Sequence, residues 1–200
     1  MAYDKERVTI GITCFLERLI MKLIPDDELQ ALLVPHIRDV PDFPKPGILF
    51  KDITTLLKEP EILKLTLDQM ALRFQDQGID HVVGIESRGF IFGTPLAYLL
   101  NAGFVPVRKA GKLPSATYRK EYALEYGSDV LEIHKDAIQP GDKVLICDDL
   151  LATGGTAAAA LAMLEELGAQ VVGALFAIEL TFLKGREKIP NCKTVSLIQY

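Results

Sequence analysis

Residues 144–156 read VLICDDLLATGGT, and this stretch decides how the rest of the chain is read. Val144, Leu145, Ile146 and Cys147 form the continuous apolar run that a strand buried on both faces requires. Asp148 and Asp149 come next, which places them at the carboxyl end of that strand. The following residues turn into a helix that starts near Gly155. Ala152, Gly154 and Gly155 are small enough for main-chain N–H groups to approach a ligand, and the hydroxyls of Thr153 and Thr156 add donors. With a helix N-terminus beneath them, these groups form an anion cradle sized for one phosphate. Two adjacent carboxylates a loop's length away suit vicinal hydroxyls, either directly or through a hard metal ion. Phosphate at one end and sugar hydroxyls at the other describe a ribose 5-phosphate. No lysine follows Gly154 and Gly155, so this is not a Walker loop, and GxGxxG is absent. TGGT alone is compatible with a plain strand-to-helix turn; the apolar strand and the aspartate pair at this spacing favour binding.

Outward from that stretch, strands and helices alternate. Apolar runs predict strands at residues 48–50, 81–85, 104–108, 170–178 and 194–198. Helical spacing predicts helices at residues 60–77, 90–101 and 155–167. The expected architecture is an α/β fold with a doubly wound, mostly parallel sheet, whose ligands lie beyond the carboxyl ends of the strands. Residues 110–129 break the alternation with a proline, three tyrosines and mixed charge. They read as a hairpin, 118–126 pairing with 130–134, inserted as a lid. Near the N-terminus, residues 8–24 read as an amphipathic helix that docks on the domain or on a partner subunit. A second helix follows Pro25 and stops at Pro35. In VPDFPKPG (residues 40–47) the prolines forbid helix, and the segment reads as an extended arm.

Composition bounds the function. The chain has 200 residues, enough for one domain. Apolar residues make up 49% and charged residues 24%, which excludes a disordered chain. The net charge of −5 argues against nucleic acid as a partner. Glu17, Arg18 and Lys22 interrupt the most apolar N-terminal stretch, which argues against a signal or spanning helix and against a membrane partner. Three distant cysteines without a CxxC pair argue against a disulfide framework or zinc site and for a reducing, cytoplasmic setting. His36, His81 and His134 fall in no ligand or triad pattern, and Cys147 reads as inert core.

Other segments carry chemistry of their own. GIESRGF delivers Glu86, Ser87, Arg88 and Gly89 to the sheet's carboxyl edge, where backbone donors and a guanidinium suit a pyrophosphate. Arg108, Lys109 and Lys112 put three cations within five residues, which points to an anionic ligand or to solvated surface. Glu125 and Glu121 lie on the hairpin, and spacing alone gives either a surface role.

Residues 144–156 resemble the ribose-phosphate motif of the type I phosphoribosyltransferases. VPDFPKPGILFKDIT (40–54), GIESRGFIFG (84–93), RKAGKLP (108–114), YALEYG (122–127) and ELTFLKGREK (179–188) are similar, in this order, to the adenine branch of that family. The resemblance covers roughly residues 29–200, leaving residues 1–28 as a helical extension. It implies a type I phosphoribosyltransferase-like sheet with a small N-terminal hood at about 40–55 and the lid at about 110–128. The implied reaction turns adenine and 5-phosphoribosyl-1-pyrophosphate into AMP and pyrophosphate in a homodimer. Mg²⁺ is held mainly by substrate, with no dedicated protein metal site. Asp148 and Asp149 would hold the ribose hydroxyls, and Ala152, Thr153, Gly154, Gly155 and Thr156 the 5′-phosphate. Glu86, Ser87, Arg88, Arg108, Lys109 and Lys112 would serve the pyrophosphate, with a cis peptide between Glu86 and Ser87.

The resemblance makes Glu125 the catalytic carboxylate, sharing the purine N9 proton and offsetting positive charge on the sugar, with Tyr126 beside it on the lid. It assigns adenine to the backbone around Leu49 and Lys51, with Phe50 stacked on the ring; without it Phe50 reads equally as core. Two alternatives stay open. One is a phosphoribosyltransferase for a 6-oxopurine or pyrimidine, and the other is a regulatory sensor that keeps the fold.

Overall fold

The computed structural model of the chain describes residues 22–123 and 128–200. Its centre is a seven-stranded sheet made of β3 (His81–Ile85), β4 (Gly103–Lys109), β5 (Thr117–Ala123), β6 (Ser128–His134), β7 (Lys143–Leu151), β8 (Gln170–Glu179) and β9 (Thr194–Gln199), in the order β5-β6-β4-β3-β7-β8-β9. The five strands from β4 to β9 in that order pair in parallel, and the β5–β6 hairpin adds antiparallel to the edge of β4. A separate antiparallel pair joins β1 (Arg38–Pro41) to β2 (Leu49–Asp52).

Strand alternation builds two cores. Leu145 and Cys147 of β7 face Leu29, Leu33, Met70, Phe74, Phe92 and Leu96. Those residues come from α1 (Asp26–Leu33), α3 (Pro60–Leu72), α4 (Gly89–Leu100) and the turn after α3. Val144 and Ile146 face Ala157, Ala160, Met163 and Leu164 of α5 (Gly155–Glu166) on the other side. Both faces are therefore covered, as the uninterrupted apolar strands require. A one-turn helix, α2 (Thr54–Leu57), links β2 to α3.

Several boundaries differ from the sequence reading. β7 continues to Leu151, so Asp148 and Asp149 lie inside the strand rather than beyond it. The long neighbour β8 keeps the ladder going, pairing Asp148 with Phe176 and Leu151 with Glu179. The expected arm at residues 40–47 is a hairpin. Arg38–Pro41 folds back on β2, and the turn between them holds a cis Phe43–Pro44 bond and Asp42 at φ 58°. Asp42 closes that turn by accepting the Gly47 N–H at 2.7 Å. Helix α3 stops at Leu72, five residues before Gln77, in a series of turns that ends at Gly78 with φ 64°.

At the N-terminus, the expected helix at residues 8–24 lies almost wholly outside the described residues. Its last residues, Lys22–Ile24, are not helical, because Pro25 biases the residue before it toward extended backbone. The buried Gln69 side chain brackets that segment, accepting the Ile24 N–H at 3.0 Å and donating to the Lys22 carbonyl at 3.1 Å. Helix α1 then packs on β9, where the Gln199 N–H donates to the Gln30 side-chain oxygen at 2.8 Å.

The candidate functional site

Two adjoining hollows lie at the carboxyl ends of the parallel strands, and a third adjoins them beside the β1–β2 hairpin. The first, about 80 Å³, is lined by residues 150–157 with Asp148 and Phe176. Gly154 caps α5 at φ 76°, a left-handed conformation that glycine adopts without strain. The loop thus turns its main chain, with Thr153, Gly155 and Thr156, around the start of the helix, which is what anion binding there needs. Thr156 also lines the next hollow, together with Tyr122 of β5.

The second hollow, about 410 Å³, shares Asp148, Leu150 and Thr156 with the first and adds Glu86, Ser87, Arg88, Lys109, Tyr122, Asp129, Leu131 and Asp149. The Asp149 N–H donates to Asp148 Oδ1 at 2.8 Å, and Arg88 Nε pairs with Asp149 Oδ2 at 2.9 Å. Burial raises the pKa of both carboxyls. The neighbouring charge of Asp149 adds to the rise at Asp148, while Arg88 opposes it. This pair is therefore poised to gain from a donor-rich or cationic ligand. The main chain of α4 approaches so closely that a Cβ on Gly89 would stand 2.7 Å from the Cys147 oxygen and 2.9 Å from Asp148 Oδ1.

Glu86 organises the cations of this hollow. Its peptide bond to Ser87 is cis, as the resemblance implied. Its carboxylate pairs with Arg108 at 3.2 Å and with Lys112, and accepts the Lys109 N–H at 3.0 Å. Burial works against ionisation, but the hydrogen bonds from Lys112, the Lys109 N–H and Arg108 hold its carboxyl below the usual range. The Glu86 side chain is thus turned to the basic groups, and an anion would meet those groups and the adjacent main chain. Lys109 Nζ pairs with Asp129 at 3.1 Å, which raises its pKa.

The third hollow, about 460 Å³, shares Arg88 with the second and is lined mainly by Val40, Phe43, Phe50, Ile53, Leu57 and Ile91. Phe43 and Phe50 meet edge to face at 5.1 Å, and the Arg88 guanidinium lies 5.2 Å from the Phe50 ring. The apolar slot takes a flat ring beside a cation. Phe50 faces it, while its neighbour Lys51 turns the other way, pairing with Asp39 at 2.7 Å and lying 3.6 Å over the Tyr200 ring. Asp52, at the end of the same strand, accepts the Thr54 N–H and pairs with Arg38, which together hold its carboxyl down at about 2.

Most of the expected residues that are described therefore line one row; Leu49 and Lys51 do not, and Arg108 and Lys112 reach it only through their pairing with Glu86. Glu125 and Tyr126 lie outside the described residues. Tyr122 and Asp129 were not singled out by the sequence reading, yet both line the middle hollow, opposite each other in the hairpin register. The turn expected across Gly127–Ser128 would have set Tyr122 opposite Ile133, whereas the observed ladder pairs Tyr122 with Asp129 and Ala123 with Ser128.

The model of the phosphoribosyl transferase domain matches residues 52–196. An adenine phosphoribosyltransferase of Acaryochloris marina is 62% identical over 164 residues, which span 82% of this chain and 96% of that protein. The crystal structure of the adenine phosphoribosyltransferase of Rhodothermus marinus superposes with a TM-score of 0.83 at 53% identity, covering 87% of this chain and 99% of that one. The Saccharomyces cerevisiae enzyme, complexed with an imino-altritol bisphosphate and adenine, gives 0.82 at 43% identity over 86% of this chain and 99% of its own.

Proposed function

Because the chain belongs to the phosphoribosyl transferase family, among its adenine phosphoribosyltransferases, we propose a residue-by-residue assignment of the reaction that goes with this membership. The protein transfers the phosphoribosyl group of 5-phosphoribosyl-1-pyrophosphate to adenine, a salvage step that yields AMP and pyrophosphate. The observation that carries the assignment is the row of three hollows, which matches the order phosphate, sugar with pyrophosphate, and base along the substrates.

Ala152–Thr156 hold the 5′-phosphate, and Asp148 and Asp149 the ribose hydroxyls. Ser87 and Arg88, with Arg108, Lys109 and Lys112, receive the pyrophosphate, while Glu86 keeps those cations in place. Phe50 stacks on adenine. Leu49 and Lys51 recognise the base through their main chain, and the pairing of β1 with β2 supports this. Pro41, opposite Leu49, has no N–H to exchange across the ladder. Alternation then leaves the main-chain groups of Leu49 and Lys51 on the outer edge of β2, free for a ligand.

Glu125 takes or shares the N9 proton as the bond from ribose C1 to pyrophosphate breaks and positive charge develops on the sugar. The segment around Glu125 and Tyr126 closes over the site to exclude water. The residues present suit Mg²⁺ carried by the substrate. Among the described residues no three His, Cys, Asp or Glu side chains group to hold a metal, yet Asp148 and Asp149 lie where the ribose and pyrophosphate oxygens would present one. When bound, the ion offsets the charge of the departing pyrophosphate.

The protein works as a homodimer in the cytoplasm. Ile91 and the 80% exposed Tyr98, both on α4, give a second copy an apolar surface to cover. Among the described residues no helix is long and apolar enough to cross a membrane, and Cys147 and Cys192 are free thiols.

The test is pyrophosphate release from 5-phosphoribosyl-1-pyrophosphate and Mg²⁺ with adenine, hypoxanthine, guanine or orotate. Release with adenine alone is expected. Release with another base instead would overturn the base assignment, and sugar binding without release for any base would move the chain to the sensor class.

A further inference from the structure

The segment ELTFLKGREK (179–188) takes no part in the assignment above, yet it touches the phosphate loop from behind. The contact is main chain against main chain. A Cβ on Gly154 would run into the Gly185 carbonyl oxygen, and a Cβ on Gly185 would run into the Ala152 carbonyl oxygen and stand 3.0 Å from Leu151. The Leu180 N–H also donates to the Leu151 oxygen at 2.9 Å. Gly154 meets the Gly185 main chain, and Gly185 meets the Ala152 carbonyl and the buried Leu151 side chain, so neither loop can give way without moving backbone or core.

Arg186 holds the rear loop in place. Its guanidinium donates to both oxygens of Glu179 at 2.6–2.8 Å, to the Thr194 carbonyl at 2.8 Å and to Ser196 Oγ at 3.0 Å. Ser196 Oγ donates in turn to Glu179 Oε2 at 2.7 Å. Glu179 and Ser196 are buried, and they stand on the neighbouring strands β8 and β9. The fork geometry uses three faces of the guanidinium at once, which a lysine cannot reproduce.

We propose that Gly185 and Arg186 are positioning residues for sugar-phosphate binding. Arg186 anchors the 185 turn to the sheet through Glu179 and Ser196, and the turn sets where the N–H groups of residues 152–156 converge. The inference rests on the reading that residues 152–156 hold the 5′-phosphate. It predicts that damage behind the loop weakens binding of the sugar substrate and leaves the base alone, since the base hollow shares no residue with this contact.

The experiment measures KM for 5-phosphoribosyl-1-pyrophosphate and for adenine in Gly185→Ala, Arg186→Lys and Thr156→Val proteins, with thermal unfolding of each. Protection against unfolding by inorganic phosphate is recorded alongside. Gly185→Ala is expected to raise the sugar KM tenfold or more and to abolish phosphate protection, with the adenine KM changed less than twofold. Arg186→Lys, which keeps the charge and is the milder change should Gly185→Ala not fold, is expected to raise the sugar KM three- to tenfold. Equal rises in both KM values, or a lowered unfolding temperature with an unchanged sugar KM, would mean a merely structural role and overturn the inference. Thr156→Val separates the two layers. If it raises the sugar KM while the variants at 185 and 186 do not, the phosphate reading stands and the inference falls; if it too leaves the sugar KM unchanged, the phosphate reading itself fails.

Discussion

Replacing Glu86 with glutamine tests whether this carboxylate is the organiser of the basic cluster. The substitution keeps size and shape and removes one charge. Glutamine retains one oxygen, which can still accept the Lys109 N–H and the Arg108 Nε–H, but its NH₂ now faces Lys112 and the second donor nitrogen of Arg108. The Glu86 side chain is only 8% exposed, so an unpaired position there is costly, whereas Arg108 and Lys112 are 33% and 47% exposed and can turn to water. A fully buried pair broken on one side loses about 3–5 kcal/mol, and an exposed pair about 0–1 kcal/mol. The intermediate burial here puts the expected loss at about 1–3 kcal/mol. At roughly 2–4 °C per kcal/mol for a chain of this size, Tm should fall by about 2–12 °C near neutral pH.

The pH dependence sharpens the test. Glu86 has its folded pKa depressed below the ordinary 4.5, so its stabilisation is complete above that value and is lost as pH falls through the folded value. The Tm gap between Glu86→Gln and the parent should therefore be full near neutral pH and narrow as the pH drops below about 4.5. Differential scanning calorimetry across that range reads both quantities. A Tm change under about 1 °C near neutral pH, or a gap that does not close in acid, refutes the reasoning.

Three further perturbations have defined outcomes. Tyr200→Leu removes the ring beneath Lys51 and should raise the adenine KM roughly 3–10-fold with the sugar KM unchanged, while Tyr200→Phe stays near the parent; steady-state kinetics with each substrate varied decides, and equal rises for both substrates would remove the role of Lys51 in setting β2. Gly89→Ala places a methyl group against the Cys147 oxygen and Asp148, and should cost about 1–3 kcal/mol in urea unfolding; an unchanged midpoint would mean that strand and helix can part freely. Asp149→Asn leaves Arg88 without its ionic partner and should weaken sugar binding about tenfold or more, measured by calorimetric titration with 5-phosphoribosyl-1-pyrophosphate; undiminished affinity would take the ribose role from Asp149.

Legibility in the sequence followed the physical signal each element carried. Strand β3 coincides with its apolar run at residues 81–85, because a buried parallel strand advertises itself by composition alone. Strand β1 was missed because Arg38, Asp39, Val40 and Pro41 show no apolar alternation, and the strand exists only through its partner β2. The extension of β7 past Cys147 has the same origin, since polar Asp148 and Asp149 stay in the ladder only because β8 runs beside them. In the site, the closeness of the 152–156 loop, the residues after β3 and the end of β4 was readable, because topology brings strand ends together wherever the strands lie. The Tyr122–Asp129 juxtaposition depends on hairpin register, and the contact of Gly185 with the 152–154 loop on tertiary packing alone, neither of which a linear pattern encodes. The resemblance gives Lys51 a main-chain role; the fold gives its side chain a partner in Tyr200.

Helix α1 has a consequence beyond its share of the core. The Tyr200 N–H points inward to the Glu179 carbonyl, so by alternation the Gln199 N–H points outward from the last strand of the sheet, where the Gln30 amide accepts it. An outward-facing strand margin with unpaired donors is an invitation to pair with another chain. By occupying that donor and packing along β9, α1 acts as a guard against fibre-like stacking of one molecule's sheet onto the next. A chain cut back beyond Leu33 would lose Leu29 and Leu33 from the core and leave that margin open to pair with a second copy.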